Sequence, residues 1–253
     1  MQETAVVTGA SAGIGRAFAE ALGPDHDLVL IARDVVRLEE VASRLRSRHG
    51  RQIRVLAADL ATVDGLRNAC ELLVDPATGL RLLVNNAGHG LRLPFADNDL
   101  AAEDALLDVL VRAPMHLSHA AVRVFLPPQH PGGAVVNVSS VAGFMPRGTY
   151  GAHKAWVTSF SRWADLEYRD RGARFLALCP GFVRTEFHQR MDAGTADIPP
   201  WMWLDAADVV AQALRDLHSG RSVSVPSRRY QALAATARLA PPRLVHRFAR
   251  LGR

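Results

Sequence analysis

Tyr150 and Lys154 stand out among the side chains able to move a proton, because the 253-residue chain has three tyrosines and a single lysine, all its other cations being arginine. The stretch YGAHK (150–154) sets the pair four residues apart, on one face of a helix. A phenol with its unperturbed pKa of about 10 is only about a thousandth ionised near neutrality. A fixed cation alongside favours the phenolate, each unit of lowering being about 1.4 kcal/mol. A compact ammonium can stand beside the ring and also donate to sugar hydroxyls, which the broad planar fork of arginine does badly. The chemistry that suits such a pair is proton delivery to the alkoxide formed when a ketone takes up hydride.

A hydride carrier needs an anion site, and TGASAGIG (8–15) has the form of one. It follows an apolar run and opens a helical stretch. Glycines at 9, 13 and 15 permit a tight turn and leave no side chain between the helix N-terminus and a pyrophosphate. The second apolar run ends in Ile31, Ala32 and Arg33. An acidic residue there would accept hydrogen bonds from the adenine ribose. Arg33 instead suits a 2′-phosphate, so the expected cofactor is NADP(H). Arg16 is a candidate second cation, and Asp34 a candidate for softening the preference.

The elements that must position these groups are legible as a rhythm. Apolar runs at 4–8, 27–32, 53–58, 81–85, 134–139 and 174–179 lack the alternation of half-exposed strands, so both faces should be buried. Helical stretches at 14–22, 35–48, 63–74, 99–126 and 150–170 lie between them. Repeated βα units imply one α/β domain over residues 1–253. Its sheet should be doubly wound, mostly parallel and Rossmann-type, with helices on both faces.

At this point the chain resembles the short-chain dehydrogenases/reductases, from Thr8 to about Val225. TGASAGIG resembles the family's glycine turn, Asp59–Leu60 its adenine-side acidic position, NNAG (85–88) the end of its fourth strand, VNVSS (136–140) the end of its fifth, YGAHK its catalytic pair, and Pro180–Gly181 the turn after its sixth. The resemblance implies a catalytic set of Ser140, Tyr150 and Lys154. It also implies cofactor contacts from Gly9, Ser11, Gly13, Ile14, Gly15, Arg33, Asp59, Leu60, Asn86, Ala87, Gly88, Pro180, Gly181, Val183 and Thr185, besides Tyr150 and Lys154 themselves. Strand-end serines commonly satisfy loop backbone. The resemblance assigns Ser140 to the substrate oxygen and leaves Ser139 to structure. Two departures stand out. Ser140 precedes Tyr150 by ten residues where the family commonly has thirteen, and Leu110 stands where many members have an asparagine that helps hold a relay water.

Beyond Gly181, the side chains Phe187, Met191, Trp201, Met202 and Trp203 could roof an apolar pocket or pack the covering segment onto the core. The expected substrate is a hydrophobic small-molecule ketone or aldehyde, or the matching alcohol. Eight arginines and no acid follow Asp216, so the net charge of +5 belongs to the C-terminal stretch, which argues against a nucleic-acid surface. The basic amphipathic tail, 228–253, reads either as a membrane-surface segment or as a helix packed by its apolar face. Cys70 and Cys179 form neither a disulfide framework nor a zinc pattern, and His116 and His119 lack a third ligand, so no metal is expected. With no leader pattern and no long apolar run, a cytoplasmic protein is expected, and the family habit implies a homodimer or homotetramer. The resulting reading is an NADP(H)-dependent carbonyl/alcohol oxidoreductase. The alternative is a nucleotide-binding relative with lost or weak catalysis, acting as a sensor or scaffold.

Overall fold

The apolar runs become strands because branched side chains on both faces are buried by helices, except in the edge strand at 53–57, where Arg54 and Ala57 are exposed and Val55 and Leu56 only half-buried. The computed structural model describes residues 3–130, 132–187 and 198–239. Six strands match the six runs: β1 (Thr4–Thr8), β2 (Asp27–Ala32), β3 (Ile53–Ala57), β4 (Leu80–Asn85), β5 (Gly133–Val138) and β6 (Ala173–Leu178). A short seventh, β7 (Val223–Ser224), pairs with β6; two residues are too few for a periodic signal in the sequence. All neighbours run parallel in the order β3-β2-β1-β4-β5-β6-β7.

Helices α1 (Gly13–Leu22), α2 (Val35–His49) and α7 (Ala206–His218) cover one face, where Phe18, Leu38, Leu45 and Val210 meet Leu30, Val84 and Leu176. Helices α3 (Val63–Val74), α5 (Ala113–Phe125) and α6 (Gly148–Tyr168) cover the other, where Leu73, Leu117 and Phe125 meet Val29, Leu83 and Phe175. The chain leaves β3 at one edge and re-enters at β4, beside β1. That reversal opens a crevice at the carboxyl ends of β1 and β4, the usual ligand position in open α/β sheets.

The sequence suggests one helix over 99–126, whereas the structure divides it into α4 (Leu100–Leu107), a π turn (Asp108–Arg112) and α5. Pro114 explains the interruption. It has no N–H to return to the carbonyl of Leu110, and its ring crowds that carbonyl, so the helix widens by one residue there. A last helix, α8 (Arg228–Leu239), follows Ser227, whose φ of 79° is the one left-handed non-glycine backbone among the described residues.

Candidate active site

The first turn is stitched to the end of β4. Gly9 and Gly13 have φ of 64° and 55°, and a Cβ on Gly15 would lie 2.3 Å from the Gly9 carbonyl oxygen. Asn86 Nδ2 donates to the carbonyls of Thr8 (3.0 Å) and Gly9 (3.2 Å), while Thr8 Oγ1 accepts from the backbone N–H of Asn86 (2.9 Å) and Ala87 (3.0 Å). The Asn86 side chain is therefore spent on bracing the turn. Thr8 shares the task, and sequence reasoning passed over it; its signal was a hydroxyl ending a strand immediately before the first glycine. Ser11 lies half-buried in the turn, and Ile14 packs its side chain onto the core. The N-terminus of α1 is left clear of side chains from Gly13 and Gly15, a cradle that fits a pyrophosphate.

At the adenosine end of the crevice, the Arg33 side chain is 70% exposed, and its Nη1 stands 3.9 Å from Asp59 Oδ2. Asp59 Oδ1 accepts from the backbone N–H of Ala61 (3.0 Å), and Leu60 is buried below. The Asp34 carboxylate caps α2 by accepting from Arg37 N (3.1 Å). Arg16 Nε is paired with Glu20 on its own helix (3.1 Å). His89, just beyond NNAG, is half-buried; burial and then Arg33 push its pKa down, against Asp59.

Tyr150 lies in the first turn of α6 and Lys154 in the next. Lys154 Nζ donates to the carbonyl of Val138 at the end of β5 (2.7 Å) and stands 5.7 Å from the Tyr150 ring centroid. Ser139 Oγ donates to the Lys154 carbonyl and meets Thr158 Oγ1, both at 2.7 Å, so Ser139 anchors α6 to β5. Ser140 Oγ accepts from Ala142 N (3.1 Å) and is hydrogen-bonded to the Tyr150 hydroxyl. Burial pushes the Tyr150 phenol up to about 12, with the Ser140 hydrogen bond and Arg147 opposing, and pushes the Lys154 ammonium down to about 8. Desolvation thus outweighs the lowering of the phenol that the lysine alone would suggest.

Leu110 sits against Gly88, where a Cβ would come within 2.8 Å of its Cδ2 and 4.0 Å of Lys154 Nζ. With Leu106 and Val109 it forms an apolar cluster packed against Tyr150. Behind the site runs a buried polar chain that the motifs do not announce. Asn85 Nδ2 donates to Asn137 Oδ1 (2.8 Å), and Asn137 Nδ2 donates to Ser161 Oγ (2.9 Å), joining β4, β5 and α6.

On the substrate side, the Pro180 carbonyl accepts from Val141 N (3.0 Å), and Val183 bridges to Leu204. Gly181 has no room for a side chain, because the ring of Tyr230 fills that space. Thr185 lies against Gly13, and Phe187 reaches Tyr150 with ring centroids 6.1 Å apart. The Trp203 and Phe182 rings are 5.8 Å apart, whereas Trp201 is 59% exposed beneath the Arg229 guanidinium. Met191 and residues 240–253 lie outside the described residues. His153 is half-buried, with Glu103 among the charges acting on it. His116 and His119 line a groove beside Gly79 and Leu80, at the amino end of β4, away from the carboxyl ends of the strands where Ser140 lies. Among the described residues no group of three side chains could hold a metal ion, and no helix is long and apolar enough to cross a membrane.

The family model for short chain dehydrogenase matches residues 3–196. A short-chain dehydrogenase from Sphingobium yanoikuyae, solved in complex with NADPH, superposes with a TM-score of 0.85 at 32% identity, covering 92% of this chain and 93% of that one. A bulky-bulky ketone specific alcohol dehydrogenase from Comamonas testosteroni superposes with a TM-score of 0.80 at 32% identity, covering 92% and 91%. In sequence, a sulfoacetaldehyde reductase from Chromohalobacter salexigens is 32% identical over 192 residues, 74% of this chain and 75% of that protein. With the glycine turn, the Ser140–Tyr150–Lys154 set and a family match over most of its length, this chain belongs to the short-chain dehydrogenase family.

Proposed function

We propose that this oxidoreductase is an NADP(H)-dependent enzyme interconverting a hydrophobic ketone or aldehyde and its alcohol. The observation that carries the reading is the convergence of the half-buried Ser140 and Tyr150 with the buried Lys154 beside the sheet crevice, with Arg33 at the far end and Asp34 capping α2. A dinucleotide held in the crevice would supply or accept the hydride. Ser140 Oγ, held by Ala142 N, orients the substrate oxygen, and the Tyr150 hydroxyl gives its proton to the developing alkoxide. A phenol kept protonated by burial is ready as an acid for carbonyl reduction, and Lys154 stands close enough to stabilise the phenolate left behind. Arg33 would meet the 2′-phosphate, and Asp59, accepting from Ala61 N, would shape the loop on the adenine side. Phe182, Phe187 and Trp203 give the substrate side its apolar character. The NADPH complex and the bulky-ketone enzyme among the relatives support the same choice of cofactor and substrate class. The exposed Trp163 and Leu166 on α6 support assembly into a homo-oligomer through that helix.

A carbonyl panel read by NADPH oxidation tests this directly, with Tyr150→Phe alongside. Wild type should consume bulky apolar ketones, while the variant loses about 10²- to 10⁴-fold in kcat yet still binds NADPH. Tight NADPH binding without turnover of any carbonyl would support the sensor reading instead.

A further inference from the structure

Helix α8 delivers one hydroxyl to two places at once. Tyr230 is 3% exposed; its Oη accepts from the backbone N–H of Phe182 (3.1 Å) and donates to the carbonyl of Met202 (2.8 Å). Its ring fills the space above Gly181, where a Cβ would lie 2.0 Å from the ring. The two segments it joins also pair backbone to backbone: Leu204 N donates to Phe182 O (2.8 Å) and Arg184 N to Leu204 O (2.9 Å). They carry the Phe182 and Trp203 rings, and Arg147, from the loop before Tyr150, holds its guanidinium 6.0 Å over the Phe182 ring. Helix α8 also packs on the turn Val141–Phe144 that follows Ser140. The left-handed backbone at Ser227 turns the chain into this helix, and Gln231 closes the corner by bonding Ser227 O and Val225 O.

We propose that Tyr230 is a positioning residue for the substrate, its hydroxyl fixing Phe182 and Met202 as the roof of the apolar pocket. The ring alone would suffice to fill the space over Gly181. The hydroxyl does something separate, since both its bonds go to backbone on the substrate side. It makes no hydrogen bond to the glycine turn, Arg33, Ser140, Tyr150 or Lys154. Removing it while keeping the ring over Gly181 therefore loosens Phe182 and Met202, with the glycine turn, Arg33 and the proton-transfer groups left in place. The family's common serine-to-tyrosine loop is three residues longer than the one here, and α8 packs over that shortened loop.

The proposal rests on the ketone-reductase reading, and the test separates the two. Tyr230→Phe keeps the ring and deletes both hydrogen bonds. Cyclohexyl phenyl ketone and butan-2-one serve as bulky and small probes, with NADPH binding measured in parallel. Expected is a rise of about tenfold in KM for cyclohexyl phenyl ketone, the equivalent of about one lost hydrogen bond, with kcat, NADPH affinity and butan-2-one kinetics little changed. An unchanged KM for the bulky ketone, or equal losses for both ketones and NADPH, overturns it. If wild type reduces neither ketone, the function reading fails on its own. The pin is then judged by hydrogen exchange, where the amides of Phe182 and Leu204 should exchange faster in Tyr230→Phe than in wild type, and equal exchange overturns it.

Discussion

At the scale of single residues, the two ionisable groups at the centre of the site sit where burial disfavours both charges. Lys154 has its pKa lowered from 10.5 to about 8, so the folded state binds fewer protons than the unfolded chain between those values. The ammonium consequently costs folding on the order of 3 kcal/mol below about pH 8, and that cost fades as pH rises towards 10.5. Lys154→Met should therefore raise Tm of the cofactor-free protein at pH 7, by less at pH 10, while abolishing carbonyl reduction; calorimetry at the two pH values with a rate assay checks both halves. A fall in Tm at pH 7 would mean that the hydrogen bond to Val138 outweighs desolvation. Arg33 offers a second test at this scale. Its exposed guanidinium has the 3.9 Å approach to Asp59 to lose, so Arg33→Ser should leave the unfolding free energy within about 0.5 kcal/mol of wild type. The ratio of kcat/KM for NADPH over NADH should fall by at least about tenfold, corresponding to one lost charge-assisted contact. An unchanged ratio would remove Arg33 from the 2′-phosphate site. Tyr150 and Lys154 were legible in the sequence because a lone lysine at helical spacing from a tyrosine is a compositional anomaly. Thr8 and Tyr230 were not, since their meaning lies in bonds to residues 78 and 48 positions away.

The elements show why the site is rigid from behind. Asn137 is fully buried in β5, accepting from Asn85 of β4 and donating to Ser161 of α6, so one side chain ties together three elements that flank the catalytic corner. Asn137→Ala leaves the amide of Asn85 and the hydroxyl of Ser161 buried without these partners, although Asn85 can still reach Ser118 (3.3 Å) and Ser161 the Val157 carbonyl (2.8 Å). The expected loss is about 2–3 kcal/mol, or a Tm drop of roughly 4–12 °C, read by thermal denaturation. A loss below about 0.5 kcal/mol would show that those fallback bonds suffice. Strands and most helices were legible because their burial repeats locally along the chain. The π turn was not, although Pro114 was its visible cause. An apolar period of 3.6 carries across a single wide turn, and only the missing N–H at Pro114 marks where the widening falls.

At the scale of the whole molecule, the C-terminal region divides by chemistry into two parts. Helix α8 packs on the segments after β6, through Tyr230 on Phe182 and Met202 and through Arg229 over Trp201. Residues 240–253 carry four of the tail's seven arginines and no acid. In the sequence 228–253 reads as one basic segment because arginine recurs throughout it, and that pattern does not separate a helix docked on the site from the residues beyond it. A truncation after residue 227 would therefore remove substrate-side packing together with charge, and could not isolate either. Truncation after residue 239 separates them. The 1–239 protein should keep the wild-type KM for cyclohexyl phenyl ketone, whereas 1–227 should lose stability and substrate affinity together. On vesicles containing anionic phospholipid at low salt, a tail that binds membrane makes the full chain pellet more than 1–239, with the difference vanishing as salt screens the arginines. Equal pelleting of the two at low salt would leave the basic stretch without a membrane role, and a raised KM in 1–239 would extend the substrate-side region beyond α8.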